Sequence, residues 1–115
     1  MNPKPREIYL LPFPFADMSR TKQRPAMVIS TEKFTEETGL CIVCSVSTNE
    51  TLPCSRIISE ADLEYGSLYV HSSAVLYCTL STVETSLLGK RILKLKAQPF
   101  SEIMAKLGKL LGIKG

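Results

Sequence analysis

The sequence predicts a mainly β domain with some α, a small barrel or strongly bent sheet followed by a C-terminal helix. Six short β-like runs fall within the first 80 residues, and a weaker seventh follows at 91–95. That many short strands at such close spacing close on themselves more readily than they form an open flat sheet. The last segment changes period, with apolar residues recurring at helical steps. At 115 residues the chain is one domain by length, large enough to bury a core and too small for two.

The elements follow in order. Residues 7–13 (Glu-Ile-Tyr-Leu-Leu-Pro-Phe) read as the first strand, and the polar stretch 16–23 as a loop. Pro25 opens a second strand at 26–30, since its ring fixes φ and it brings no N–H. Residues 31–39 look like a turn or short helix stopped by Gly39. Strands are then expected at 40–47, 55–59, 67–71 and 73–80, with a brief helix over 83–88 ended by Gly89. In the final helix Phe100, Ile103, Met104, Leu107, Leu110 and Leu111 form one apolar stripe that would cover the sheet. Pro99 suits its first turn, and Lys106 and Lys109 complement the negative end of its dipole.

Composition narrows the function classes. With 44% hydrophobic and 22% charged residues and no apolar run near the ~20 residues that span a bilayer, no membrane role is expected. The opening Met-Asn-Pro-Lys-Pro-Arg lacks the apolar core of a signal peptide, so the expected location is cytoplasmic. A net charge of +3 permits weak attraction to polyanions. Arg20, Lys22 and Arg24 gather in the first long loop, where they could hold phosphate. The lysines and Arg91 of the C-terminal third read as solvated faces.

Cys41-x-x-Cys44 invites a zinc reading. It lies within a strand, however, where residues three apart point to opposite faces and cannot share a tetrahedral ion. Cys54 and Cys78 are not spaced as a second pair, so the cysteines read as small hydrophobes in a reducing compartment, and no metal or cofactor is expected. His71, the one histidine, lacks a second histidine or a recognisable acid partner and receives no catalytic role.

The most informative stretch is Lys22-Gln23-Arg24-Pro25-Ala26-Met27-Val28-Ile29-Ser30, which sets an arginine at a strand mouth. A rigid fork of N–H donors at a fixed point of the backbone suits a phosphate; the bland counterpart is a surface ion pair to Asp17 or another carboxylate. Ser47 and Thr48 end the 40–47 strand with adjacent hydroxyls, which elsewhere often only satisfy turn backbone.

Taken together, Arg6-Glu7-Ile8-Tyr9-Leu10, the polar loop, the Arg-Pro strand, Ile42-Val43-Cys44-Ser45-Val46-Ser47-Thr48 and the layout from Gly66-Ser67 to the final helix resemble the MazF/PemK family of toxin-antitoxin ribonucleases. The resemblance implies an SH3-like, partly open β-barrel with a C-terminal helix, assembled as a two-fold homodimer. It also implies sequence-specific, metal-independent cleavage of single-stranded RNA, restrained by a cognate antitoxin. The family's catalytic arginine falls on Arg24 and its catalytic threonine on Ser47, with Thr48 one residue away. Arg20, Lys22, Asn49 and Arg56 are the expected RNA contacts.

The chain departs from the family pattern in three places. Arg6 stands where relatives carry glycine, and Asp17-Met18-Ser19-Arg20 replaces a loop that usually supplies a glutamate, leaving the proton acceptor unassigned. Leu76-Tyr77-Cys78-Thr79 stands where polar residues often help bind RNA. The missing loop glutamate and the apolar 76–79 stretch favour the rival reading, a non-catalytic barrel that binds a protein target, as CcdB-type gyrase poisons do, or only its antitoxin; the intact Lys22-x-Arg24-Pro25 favours the nuclease.

Overall fold

The computed structural model describes residues 2–14, 21–47, 53–66 and 73–113, with backbone only at 13, 14, 21 and 22. Alternating apolar and polar residues build seven strands: β1 (Glu7–Pro14), β2 (Thr21–Val28), β3 (Leu40–Ser47), β4 (Ser55–Ile58), β5 (Leu63–Tyr65), β6 (Ser73–Glu84) and β7 (Arg91–Leu95). Among the described residues two α-helices, α1 (Glu32–Thr38) and α2 (Ala97–Leu111), accompany them. The strands form one antiparallel sheet in the order β4-β6-β3-β2-β1-β7-β5, bent into a half-barrel.

Period-2 alternation gives each face of the sheet its own core. Ile8, Met27, Cys44, Val46, Val75, Leu93 and Leu95 fill one face, where Ile103 of α2 joins them. Leu11, Ala26, Val28, Cys41 and Val43 bury the other, with Tyr9, Val83 and Leu88 against them. Cys41 and Cys44 therefore sit on opposite faces, and the zinc spacing has no counterpart in space. Among the described residues no group of three or more His, Cys, Asp or Glu could hold a metal.

Several expected boundaries move. β2 begins at Thr21 rather than 26, because pairing with β1 (Phe13 with Lys22, Leu11 with Arg24) draws the polar residues 21–23 into the sheet. Tertiary pairing here overrides the loop-like composition. The helix expected at 83–88 is instead the end of β6 followed by a single 3-10 turn at Thr85–Leu87. A 3-10 turn at Glu60–Asp62 and the short β5 had no counterpart in the expected elements, and the strand expected at 67–71 lies outside the described residues.

The stop at Gly39 and the C-terminal helix stand as expected. α1 is capped by the Thr31 side chain, which accepts from the Phe34 N–H at 3.2 Å, and ends in Gly39 at φ 74°, the left-handed conformation glycine adopts without strain. α2 buries Ile103 and Leu107, whereas Leu110 and Leu111 at the end of the stripe are about half exposed. Among the described residues no helix is long and apolar enough to cross a membrane.

Two local features shape the sheet. Arg6, where the family resemblance leads one to expect glycine, has φ 78°. Its unusual backbone is held by the Arg6 N–H to Val28 O and the Leu95 N–H to Arg6 O, each 3.0 Å, and its guanidinium reaches Glu64 at 3.2 Å. In β6, Leu76 faces Ser45 and Leu80 faces Cys44, so Tyr77, Cys78 and Thr79 bulge from the ladder with β3. Tyr77 turns inward against the first core while Cys78 and Thr79 stay exposed.

Candidate functional site

The site builds on one end of the sheet, where β1 finishes, β2 starts, β3 finishes and β6 starts. The β2–β3 ladder pairs Val28 with Val43, Met27 with Cys44 and Ala26 with Ser45, and stops there. Continued by two residues, the same register sets Arg24 opposite Ser47. Opposite residues of an antiparallel pair share a face, so both belong to the face that carries Ala26, Val28 and Val43. Arg24 is exposed, Ser47 is half-buried, and each is engaged by a neighbouring group.

Pro25 explains why the ladder stops. Ile29 donates to Ile42 O at 2.9 Å, so hydrogen-bonded pairs fall at every second residue and the next beyond Met27–Cys44 would be Pro25–Val46. Pro25 has no N–H to donate there. On its other side it stands opposite Leu10 in a non-hydrogen-bonded pair, where no N–H is needed. β1 and β2 thus stay paired to Thr21 while β2 and β3 part at Arg24.

Arg24 and Ser47, expected from sequence as a phosphate-binding pair, are thus brought to neighbouring strands. Arg24 lies inside β2, paired with Leu11, rather than at a strand mouth as expected. Leu11 is 2% exposed, so the backbone beneath the guanidinium is anchored by the second core. Lys22 belongs to β2, opposite Phe13. Arg20, Thr48, Asn49 and His71 lie outside the described residues, in segments 15–20, 48–52 and 67–72. All three segments join described strands at this end of the sheet, through Pro14 and Thr21, Ser47, and Ser73.

Arg56 stands apart. Its guanidinium donates to Asp62 at 2.8 Å, to Glu102 at 3.1 and 3.3 Å and to Ile57 O at 2.7 Å, tying β4 to the 3-10 turn and to α2. Burial would raise the Asp62 pKa, but the Ser59 N–H and the Arg56 guanidinium outweigh it and hold that carboxyl below its usual range. An RNA phosphate could engage Arg56 only in competition with two carboxylates.

A constellation without a sequence-level expectation surrounds Glu7, which is 3% exposed. Its carboxylate accepts from the Lys4 N–H at 2.8 Å, the Tyr9 hydroxyl at 2.9 Å and Arg91 at 2.7 Å, and the Arg91 guanidinium lies 5.1 Å from the Tyr65 ring centroid. Burial alone would raise the Glu7 pKa; the three donors reverse the sign and hold it below the ordinary carboxylate range. The Tyr9 phenol is pushed up by burial and by that same carboxylate. The set locks β1 to β7. The acidic residue and the arginine are 84 positions apart, so only the β1–β7 register reveals the pair.

Known proteins share this architecture. MazF from Deinococcus radiodurans superposes with a TM-score of 0.71 at 27% identity, over 98% of this chain and 99% of that one. A mycobacterial endoribonuclease in complex with its cognate antitoxin gives a TM-score of 0.73 at 15% identity, over 99% and 97%. The Mycobacterium tuberculosis toxin MazF-mt6 gives 0.71 at 17%, over 96% and 100%. No curated protein matches at a significant level. The family model for the PemK-like, MazF-like toxin of type II toxin-antitoxin systems matches residues 4–111, and the chain belongs to that family.

Proposed function

We propose that this toxin-family protein is a sequence-specific, metal-independent endoribonuclease that cleaves single-stranded RNA and is silenced by a cognate antitoxin. The observation that carries the proposal is the placement of Arg24 and Ser47 on one face of adjacent strands, where the β2–β3 ladder has ended. RNA brings its own nucleophile, the 2′-hydroxyl next to the scissile phosphate. The protein has only to hold that phosphate in line and stabilise the charge that grows on its nonbridging oxygens. The Arg24 guanidinium bridges the two nonbridging oxygens. The Ser47 hydroxyl, with Thr48 beside it, holds one of these oxygens or the 2′-hydroxyl. The 5′-oxygen leaves protonated, which gives a 5′-hydroxyl end and a 2′,3′-cyclic phosphate.

Arg20, Lys22 and Asn49 would track the flanking phosphates and bases, and Arg56 would join them only by releasing a carboxylate. The protein works as a homodimer, and the antitoxin lays an acidic and apolar segment over the same surface. A D. radiodurans structure is of MazE with MazF, and a mycobacterial endoribonuclease is in complex with its cognate antitoxin, which supports this partner.

The test is incubation of the purified chain with long single-stranded RNA in excess EDTA. Mapped cuts with 5′-hydroxyl ends are expected. Arg24→Ala should lower the rate by roughly two to three orders of magnitude, the usual effect of removing one preorganised donor. Intact RNA across many sequences would refute the nuclease and leave the protein-binding barrel.

A further inference from the structure

Two of the four cysteines meet in space although 24 positions separate them. Cys54 immediately precedes β4, and the β4–β6 register pairs Ser55 with Leu76. The Tyr77 N–H donates to Cys54 O at 3.0 Å, which carries the β4–β6 contact one residue further into the bulge. Cys54 has φ 58°, a conformation a non-glycine residue rarely adopts, and Cys78 Sγ lies 3.9 Å from Pro53 O. The Cys78 side chain is thus brought beside Cys54, and its proximity pushes the Cys54 thiol pKa up. Cys78 is exposed and Cys54 half-buried.

We propose that Cys54 and Cys78 form a peroxide-driven disulfide site that clamps the start of β4 to the bulge of β6. The exposed Cys78 reacts first. Its sulfur attacks one oxygen of hydrogen peroxide, the O–O bond breaks, and the products are a sulfenic acid and one water. The Cys54 sulfur then attacks the Cys78 sulfur, the S–O bond breaks, and the hydroxyl leaves as a second water with the Cys54 proton. In sum two thiols lose two electrons and two protons, and one peroxide becomes two waters. Cys54 is where the chain enters β4 after segment 48–52, so the bond fixes the far end of the segment that begins next to Ser47.

The other two cysteines supply an internal control. Cys41 and Cys44 are fully buried on opposite faces of β3, and burial pushes both thiols up, Cys44 to about 12, which leaves little thiolate to react.

The experiment treats the reduced, desalted full chain with hydrogen peroxide, alkylates the remaining thiols and maps the products by fragmentation mass spectrometry. The expected product is an intrachain Cys54–Cys78 bond, with a mass lower by two hydrogens, Cys41 and Cys44 alkylated only after unfolding, and full reversal by a thiol reductant. Its melting temperature should rise, because the bond closes a loop in the unfolded chain. Cys54→Ser should stop at a sulfenic or sulfinic acid on Cys78, and Cys78→Ser should resist peroxide. Sulfinic acid on Cys78 of the wild-type chain with Cys54 still reduced would overturn the proposal, as would a bond through Cys41, Cys44 or a second chain. None of these readouts depends on RNA cleavage, so the disulfide stands or falls apart from the nuclease.

Discussion

Replacing Arg56 with alanine separates a scaffold role from an RNA-binding one. Breaking a fully buried ion pair by removing one partner costs ~3–5 kcal/mol, and an exposed pair is worth ~0–1 kcal/mol. The Arg56–Asp62 pair lies between these limits, since the two side chains are 20% and 21% exposed. Its loss should cost about 2 kcal/mol, interpolating between the buried and exposed cases. The Glu102 arm, 46% exposed at the carboxylate, adds only ~0.3 kcal/mol because solvent screens it. For a domain of this size the sum corresponds to a fall in melting temperature of roughly 8 °C. Arg56→Lys should recover only part of it, because an ammonium cannot fork between two carboxylates.

The pH dependence carries a defined sign. Asp62 has a folded pKa below its unfolded value, so its contribution is fully present above the unfolded pKa and is lost as pH falls through the folded one. The gap in urea midpoint between wild type and Arg56→Ala should therefore hold steady near neutral pH and close in acid. An unchanged midpoint at neutral pH, together with weaker RNA binding, would refute the scaffold role and return Arg56 to the phosphate contacts expected from sequence.

The remaining predictions address other contacts. A Cβ on Gly66 would collide with Ile92 O and lie 2.8 Å from Leu93 Cδ2 at a residue with φ 89°, so Gly66→Ala should cost at least about 2 kcal/mol by strain and overpacking. A loss under ~0.5 kcal/mol in urea unfolding would show that β7 yields to it, since that is the range of neutral surface changes. Glu7→Gln keeps the shape but leaves three donors with one good acceptor, and should cost about 1.5–3 kcal/mol at neutral pH. Because the Glu7 pKa is lowered on folding, that difference should vanish as pH falls through the folded value; a difference that persists or grows in acid would contradict the assigned charge state.

Most of the strands along the chain and the closing helix were legible because they rest on local period. β3 and β7 begin and end where their apolar runs do, and Gly39 stops α1 by a conformation that glycine alone adopts freely. Misplaced boundaries occur where pairing rather than propensity decides, as at residues 21–23, drawn into β2 by β1, and at residues 83–84, held in β6 by Cys41 and Leu40. Of the site, Arg24 and Ser47 were legible as residue types beside a strand end, but their shared face comes only from the β2–β3 register. The Glu7–Arg91 lock and the Cys54–Cys78 contact were invisible for the same reason: no spacing along the chain encodes which strands become neighbours.

Pro25 has a consequence for the proposed site. The donor it lacks is missing from the covalent structure, so neither pH, salt nor a bound partner can supply a hydrogen bond from Pro25 to Val46. The end of the β2–β3 ladder is in that sense written into the chain. On the proposed reading, an RNA phosphate held between Arg24 and Ser47 breaks no β2–β3 pair to enter. Affinity at that position should accordingly follow charge and shape, with little contribution from backbone rearrangement.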